Sequence, residues 1–386
     1  MGGWVYDGCM CLGEKQRERL IDARHVVVKF GTQLLSDDGG GLSMEVMGRL
    51  AGQIAGLVRM GKRVTLVSSG AVGAGLSELN LKGKARGVGV LQAVAAVGQR
   101  CLMDALAGAF GAYGMGVGQL LMTRSDFDDR VRYLNFRNCV TQLHGLGCLP
   151  IINENDTVAV EELRFGDNDQ LAALACQALN ADCLVLLTVV EGLLDAHGVR
   201  VGVVEDLEGA MVHVRDECSA LGTGGMGSKL ASMGLVTRGG DVGVIASGRA
   251  DDILLDIFKG KDRGTLFLPG GKGERLNSKR RWLGLAKRPG GRVVVDDGAK
   301  GALLGRGKSL LAIGVLDCWG DFGAGDLVTV EDVGGREIAR GLSNYSGEEI
   351  RLIKGKRSED LAGLLGVKGY HEVIHRDHLV ITDELS

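Results

Sequence analysis

A chain of 386 residues that is 45% hydrophobic can bury the cores of two or three domains, which excludes a disordered polypeptide. The formal net charge of −3 excludes a polyanion binder of the whole-surface kind, so any nucleic-acid surface must be local. Nine scattered cysteines without a Cys-x-x-Cys pair argue against a disulfide framework or a zinc site, and for a reduced cytoplasmic protein. Residues 1–23 carry mixed charge (Glu14, Lys15, Arg17, Glu18, Arg19) without an apolar signal core and read as an extension of no legible role. The first strand is expected over 25–30, where Val26, Val27 and Val28 form the unbroken apolar run of a strand covered on both faces. A helix follows over 43–60, with Leu50, Ile54, Leu57 and Val58 at helical spacing, then a strand over 64–67 and a long helix over 88–110. Strands are expected again at 117–121, 149–152, 183–188 and 242–246, with helices over 169–179 and 229–238. This alternation predicts an α/β domain with a mostly parallel sheet sandwiched by helices, spanning 24–275. No membrane span is expected. A glycine-rich, basic stretch over 276–291 reads as a linker. From 292 to 380 the segments are short and β-like (292–295, 311–315, 327–330, 336–342 and 371–381), which predicts a small, mainly β domain.

Four polar clusters fall at strand ends, the edge where open α/β sheets bind ligands. Lys29-Phe30-Gly31-Thr32 closes the first strand, and its lysine suits a phosphate contact, although strand-end lysines also simply snorkel to solvent. Ser68-Ser69-Gly70 runs into small residues and a helix, where backbone N–H groups hold an anion or merely form a tight turn. Asn153-Glu154-Asn155-Asp156 follows a buried apolar strand directly, and Gly166-Asp167-Asn168-Asp169 repeats the theme ten residues on. Helix capping explains one such residue but not two clusters, so a polar site is expected here. The loop Gly222-Thr223-Gly224-Gly225-Met226-Gly227-Ser228-Lys229 leads into a helix that opens with lysine. It suits phosphate, but no Ser or Thr follows the lysine, so it is not a P-loop.

In this order the clusters resemble the amino acid kinase family, and within it the members that phosphorylate the side-chain carboxylate of glutamate. The matching stretches are Val-Val-Lys-Phe-Gly-Thr (27–32), Ser-Ser-Gly-Ala-Val (68–72), Gln-Ala-Val-Ala-Ala-Val-Gly-Gln (92–99), Leu-Pro-Ile-Ile-Asn-Glu-Asn-Asp (149–156), Gly-Asp-Asn-Asp (166–169), and Gly-Thr-Gly-Gly-Met (222–226) with Lys229. Residues 292–380 resemble a PUA domain through Val-Asp-Asp-Gly-Ala (295–299), Gly-Lys-Ser-Leu-Leu (307–311) and His375-Arg376-Asp377. The resemblance implies the amino acid kinase fold and a γ-phosphoryl transfer from ATP with Mg2+. It implies Lys29 and Lys229 as catalytic lysines held by Asp169. It implies Ser69, Asp156 and Asn168 as glutamate ligands. It implies Lys29, Thr188, Val189, Thr223, Gly224, Gly225, Met226, Gly227, Ser228 and Lys229 around ATP, and no protein side chain as a metal ligand. L-glutamate and ATP are then the small-molecule partners, proline a feedback inhibitor and a homo-oligomer the expected assembly, without membrane or nucleic acid. Two positions depart from the family pattern. Val189 stands where an aspartate is common, and Gly192-Leu193-Leu194 replaces a Gly-Leu-Tyr turn; both bear on nucleotide binding. Acetylglutamate, aspartate, carbamate or nucleotide phosphorylation remains an alternative within the family. RNA binding through the small domain is an alternative of another class, against which residues 291–386 carry 12 Lys and Arg for 16 Asp and Glu.

Overall fold

The computed structural model describes residues 10–37, 40–81, 87–159, 168–195, 197–207, 209–210, 225–270, 289–357, 360–361 and 371–382. The chain divides into two compact units, the first formed by residues 1–126 and 130–275, the second by 127–129 and 276–386. In the first unit the strands are β1 His25–Phe30, β2 Arg63–Val67, β3 Gly116–Met122, β4 Cys148–Glu154, β5 Cys183–Thr188, β6 Val203–Val204, β7 Val242–Ser247 and β8 Thr265–Phe267. The helices are α1 Met10–Asp22, α2 Thr32–Leu35, α3 Met44–Arg59, α4 Ala71–Glu78, α5 Val88–Gly111, α6 Arg124–Asp128 (whose last two residues are assigned to the second unit), α7 Arg130–Gly145, α8 Asn168–Leu179, α9 Met226–Arg238 and α10 Ile253–Phe258.

The eight strands form one sheet in the order β3-β4-β2-β1-β5-β7-β8-β6. Every neighbouring pair is parallel except β7 with β8. All six residues of β1 are buried, as its apolar run requires of a central strand with both faces covered. Val26, Val28 and Phe30 join Leu50, Ile54 and Leu57 of α3 and Leu102 and Leu106 of α5 in one core cluster. The alternate positions Val27 and Lys29 lie on the other face, where α8 packs across β1 and α9 packs on α8. Helices therefore cover both faces of the sheet, and the carboxyl ends of β4, β2, β1, β5 and β7 line up along one edge.

Within the extension, Met10–Asp22 forms a helix built into this unit. Arg17 of α1 is 1% exposed, and its guanidinium donates to the carbonyls of Gly202 and Arg263 at 3.0 and 2.9 Å and meets Asp262 at 2.6 Å. Lys62 donates to the carbonyls of Ile21 and Ala23 at the helix's end, at 2.8 and 2.7 Å. Lys62 thus satisfies terminal acceptors that have no partner within the helix. Helix α5 is long and apolar enough to cross a membrane by length and composition alone, yet its Val94, Ala95, Gly98, Leu102 and Leu106 are buried within the unit.

In the second unit β9 Gly291–Val295, β10 Val315–Gly320, β11 Leu327–Glu331, β12 Glu337–Leu342 and β13 Leu379–Ile381 form a sheet in the order β10-β9-β11-β12-β13. Its helices are α11 Asp297–Arg306 and α12 Gly347–Ile353. The expected strand at 311–315 is instead a 3-10 turn over Ala312–Gly314, and the strand begins at Val315. Ala312 is buried, and its carbonyl accepts from Val315 N, closing the turn, and from Gly355 N at 2.8 Å. Of the strand expected over 371–381 only Leu379–Ile381 forms, because His375 Nδ1 accepts from Asp377 N at 3.2 Å and caps a 3-10 turn before it. Most of the expected linker lies outside the described residues.

Candidate active site

Lys29 is the fifth residue of β1, and strand alternation sends its side chain to the α8 face. There Lys29 Nζ lies 2.6 Å from Asp169 Oδ1, while Lys229 Nζ lies 2.9 Å from Asp169 Oδ2. Asp169 is wholly buried and sits in the first turn of α8, where the helix dipole favours a carboxylate. A buried carboxylate is costly unless paired, and here two ammonium groups hold its two oxygens. Lys29 is 4% exposed, so its position is fixed by burial as well as by the pair. Lys229 arrives from the first turn of α9, whose N-cap is Gly225. Gly225, Met226, Gly227 and Ser228 are all half-buried around that helix start, where backbone N–H groups lack helical acceptors. Thr223 and Gly224 lie outside the described residues.

On the β2–β4 side of the lysines stands a chain of amides. Asn168 Nδ2 donates to Ser69 Oγ at 2.9 Å and to Asn153 Oδ1 at 3.1 Å. Asn153, 1% exposed at the end of β4, donates through Nδ2 to Gln99 Oε1 at 2.7 Å. Ser69 follows β2 and is buried beside Gly70, whose φ of +105° opens α4 in a left-handed conformation that a side chain would strain. Asp156 lies in the turn after β4, half-buried. The structure thus joins Ser69 to Asn168 by a hydrogen bond and sets Asn168 next to the lysine-bound Asp169. Two members of this network were not among the expected site residues: Asn153, singled out only as part of its polar cluster, and Gln99, which entered only through the resemblance of the stretch 92–99. The place of Gln99 in the amide chain depends on a partner 54 positions away.

On the other side, Thr188 closes β5 and its carbonyl accepts from Gly248 N at 2.8 Å, while Gly31 N donates to Leu187 O at 3.3 Å. These bonds tie the ends of β1, β5 and β7 into one rim. Val189 is half-buried there and Leu193 buried. A separate cleft near β3 is lined by Leu121, Thr123, Asp126, Arg132, Asn155 and Val158 and includes none of the lysine cluster. Among the described residues no group of three His, Cys, Asp or Glu side chains converges as a metal cradle. Asp169 is already held by two lysines, so among the described residues no set of side chains fits a resident metal ion. Chemically, two anchored cations at a rim of small residues can stabilise negative charge that grows between them.

This chain belongs to the amino acid kinase family, whose model matches residues 24–247; a PUA domain model matches residues 291–365. The particular relatives it resembles over nearly its whole length are glutamate 5-kinases. The one from Caldanaerobacter subterraneus subsp. tengcongensis is 42% identical over 365 residues, covering 93% of this chain and 98% of that protein. The one from Pelobacter propionicus is 42% identical over 376 residues, covering 95% of this chain and all of that protein. The one from Moorella thermoacetica is 42% identical over 373 residues, covering 95% and 98%.

Proposed function

We propose that this chain transfers the γ-phosphoryl group of ATP to the side-chain carboxylate of L-glutamate, giving γ-glutamyl phosphate and ADP, the first step of proline biosynthesis. The observation that carries the mechanism is the Lys29–Asp169–Lys229 cluster at the sheet rim, flanked by amides on one side and a glycine-started helix on the other. Glutamate lies on the amide side, with Ser69, Asn168 and Asp156 as its ligands. ATP lies along the start of α9, near Thr188 and Val189, with Thr223–Lys229 around its phosphates. A γ-carboxylate oxygen attacks the γ-phosphorus, a new P–O bond forms, and the bond to the bridging oxygen breaks with its electron pair leaving on ADP. The carboxylate is already ionised at neutral pH, so no general base is required. The two lysines stabilise the charge on the transferring group, and Asp169 keeps both in place. Magnesium enters as the counter-ion of ATP, that is, as part of the substrate. Proline, the end product of the route this acyl phosphate opens, is the expected feedback inhibitor.

The test is ATP turnover by the purified chain against L-glutamate, N-acetylglutamate and aspartate, with the acyl phosphate trapped by hydroxylamine. Hydroxamate formation with glutamate at the highest kcat/KM is the expected result. Equal or faster turnover of acetylglutamate or aspartate would reassign the substrate.

A further inference from the structure

Resting on the glutamate reading above, we propose that Gln99 is a substrate-binding residue whose Nε2 donates to the α-carboxylate of glutamate. A single backbone group sets the direction of the whole amide chain. Glu154 N, which can only donate, bonds to Asn153 Oδ1 at 2.9 Å. Asn153 must then present its Nδ2 to Gln99, so Gln99 turns its oxygen toward Asn153 and its Nε2 away. The same Asn153 Oδ1 takes Nδ2 of Asn168, which leaves Asn168 Oδ1 turned away from the network. The outcome is one buried donor, Gln99 Nε2, and one buried acceptor, Asn168 Oδ1, neither with a hydrogen-bond partner among the described residues. Leaving a buried donor unmet is costly, and the donor on Gln99 matches a carboxylate, whose oxygens can only accept.

The order along the network assigns the ends. Asn168 adjoins Asp169 and hence the lysines, where the reacting γ-carboxylate must lie. Gln99 stands two hydrogen-bonded amides further from them, which places it at the substrate's α end. The backbone supports this placement. A Cβ on Gly98 would stand 1.8 Å from Ala71 O, and one on Gly75 would stand 2.0 Å from Val94 O. Helices α4 and α5 therefore meet backbone to backbone at this point. That close approach brings Gln99 up to Asn153, beside the Ser69–Gly70 turn that opens α4.

The decisive variant is Gln99→Glu, which keeps the acceptor for Asn153 and the side-chain shape but replaces the Nε2 donor by an anionic oxygen. Full-length wild type, Gln99→Glu and Gln99→Met are compared with L-glutamate and with its α-carboxamide, L-isoglutamine, which keeps the reacting carboxylate. KM for each acceptor, KM for ATP, kcat and Tm are measured. For Gln99→Glu the expected result is a rise of roughly 10- to 100-fold in the glutamate KM. The ATP KM and the isoglutamine KM should stay near wild type, while Tm, which the new buried carboxylate lowers, confirms that the variant is folded at the assay temperature. Gln99→Met, which has no donor to offer, should also erode the preference for glutamate over isoglutamine. An unchanged glutamate preference in both variants, or a loss that falls alike on both acceptors, overturns the inference and leaves Gln99 as a prop for Asn153. A wild type that does not phosphorylate glutamate instead removes the functional reading, and this inference with it.

Discussion

Lys229 Nζ lies 2.9 Å from the carboxylate of Asp169, which stands 60 residues earlier in the chain. Asp169 in turn holds Lys29 at 2.6 Å, so one buried anion sets the positions of two cations. Replacing Lys229 or Lys29 by alanine should lower kcat by about 10²–10³ while changing the glutamate KM far less, the pattern of charge acting only on the transferring group. Steady-state kinetics of both variants checks this. A Lys229→Ala enzyme with near-normal kcat would remove the lysine from the chemistry.

Asn168→Ala and Asp156→Ala should act chiefly on the glutamate KM. Asn168 also bonds to Ser69 and Asn153, so Asn168→Ala disturbs two further polar side chains. An increase of roughly tenfold or more in KM, with ATP KM unaltered, is expected. A kcat loss without a KM change would place these residues in the transfer step instead.

Two glycines of the same helix should respond in opposite directions. Gly98→Ala drives a methyl into the backbone of Ala71, which neither helix can yield without separating, and should destabilise by at least about 1–3 kcal/mol. Among the described residues nothing lies within 4 Å of a Cβ added at Gly108, so Gly108→Ala should gain roughly 0.5–1 kcal/mol from the helix propensity of alanine. Denaturant melts of the two variants decide the point; equal effects would mean that α4 and α5 do not meet as closely as the structure has them.

His144 gives the fold an acid-sensitive point. It lies 3.1 Å from Thr65 Oγ1, which is 3.0 Å from His25 Nε2. Burial, and then the nearby Arg63, push its pKa down to about 4 from 6.5. Between these values the unfolded chain binds a proton that the folded chain refuses, so His144 lowers stability as the pH falls from 6.5 toward 4. His144→Gln, which can still bond to Thr65, should show a shallower fall of Tm over this window. Superimposable Tm profiles would point to another group.

The small second unit should be dispensable for the chemistry, since Lys29, Ser69, Asn153, Asn168, Asp169 and Lys229 all belong to the first. A chain ending near Arg288 should fold and phosphorylate glutamate. A soluble, cooperatively melting truncation without activity would show that the second unit contributes to the reaction.

By itself the sequence determined the strands that end in the site. β1 was legible because six consecutive buried positions admit only one kind of apolar run, and Lys29 at its end broke that run visibly. The lysine and acid clusters were legible as motifs for the same reason: charges directly after buried strands stand out. Segments stabilised by distant partners were not legible. The run at 311–315 has a strand's composition but turns as a 3-10 helix to bury Ala312, and α1 is held by Arg17 bonds to residues 185 and 246 positions away. Only the tertiary structure decided which way the amides of Gln99, Asn153 and Asn168 face. An amide carries a donor and an acceptor on the same carbon, and local sequence does not distinguish them. Here the backbone N–H of Glu154 does so, through a chain of contacts that exists only once β4, α5 and α8 have packed together.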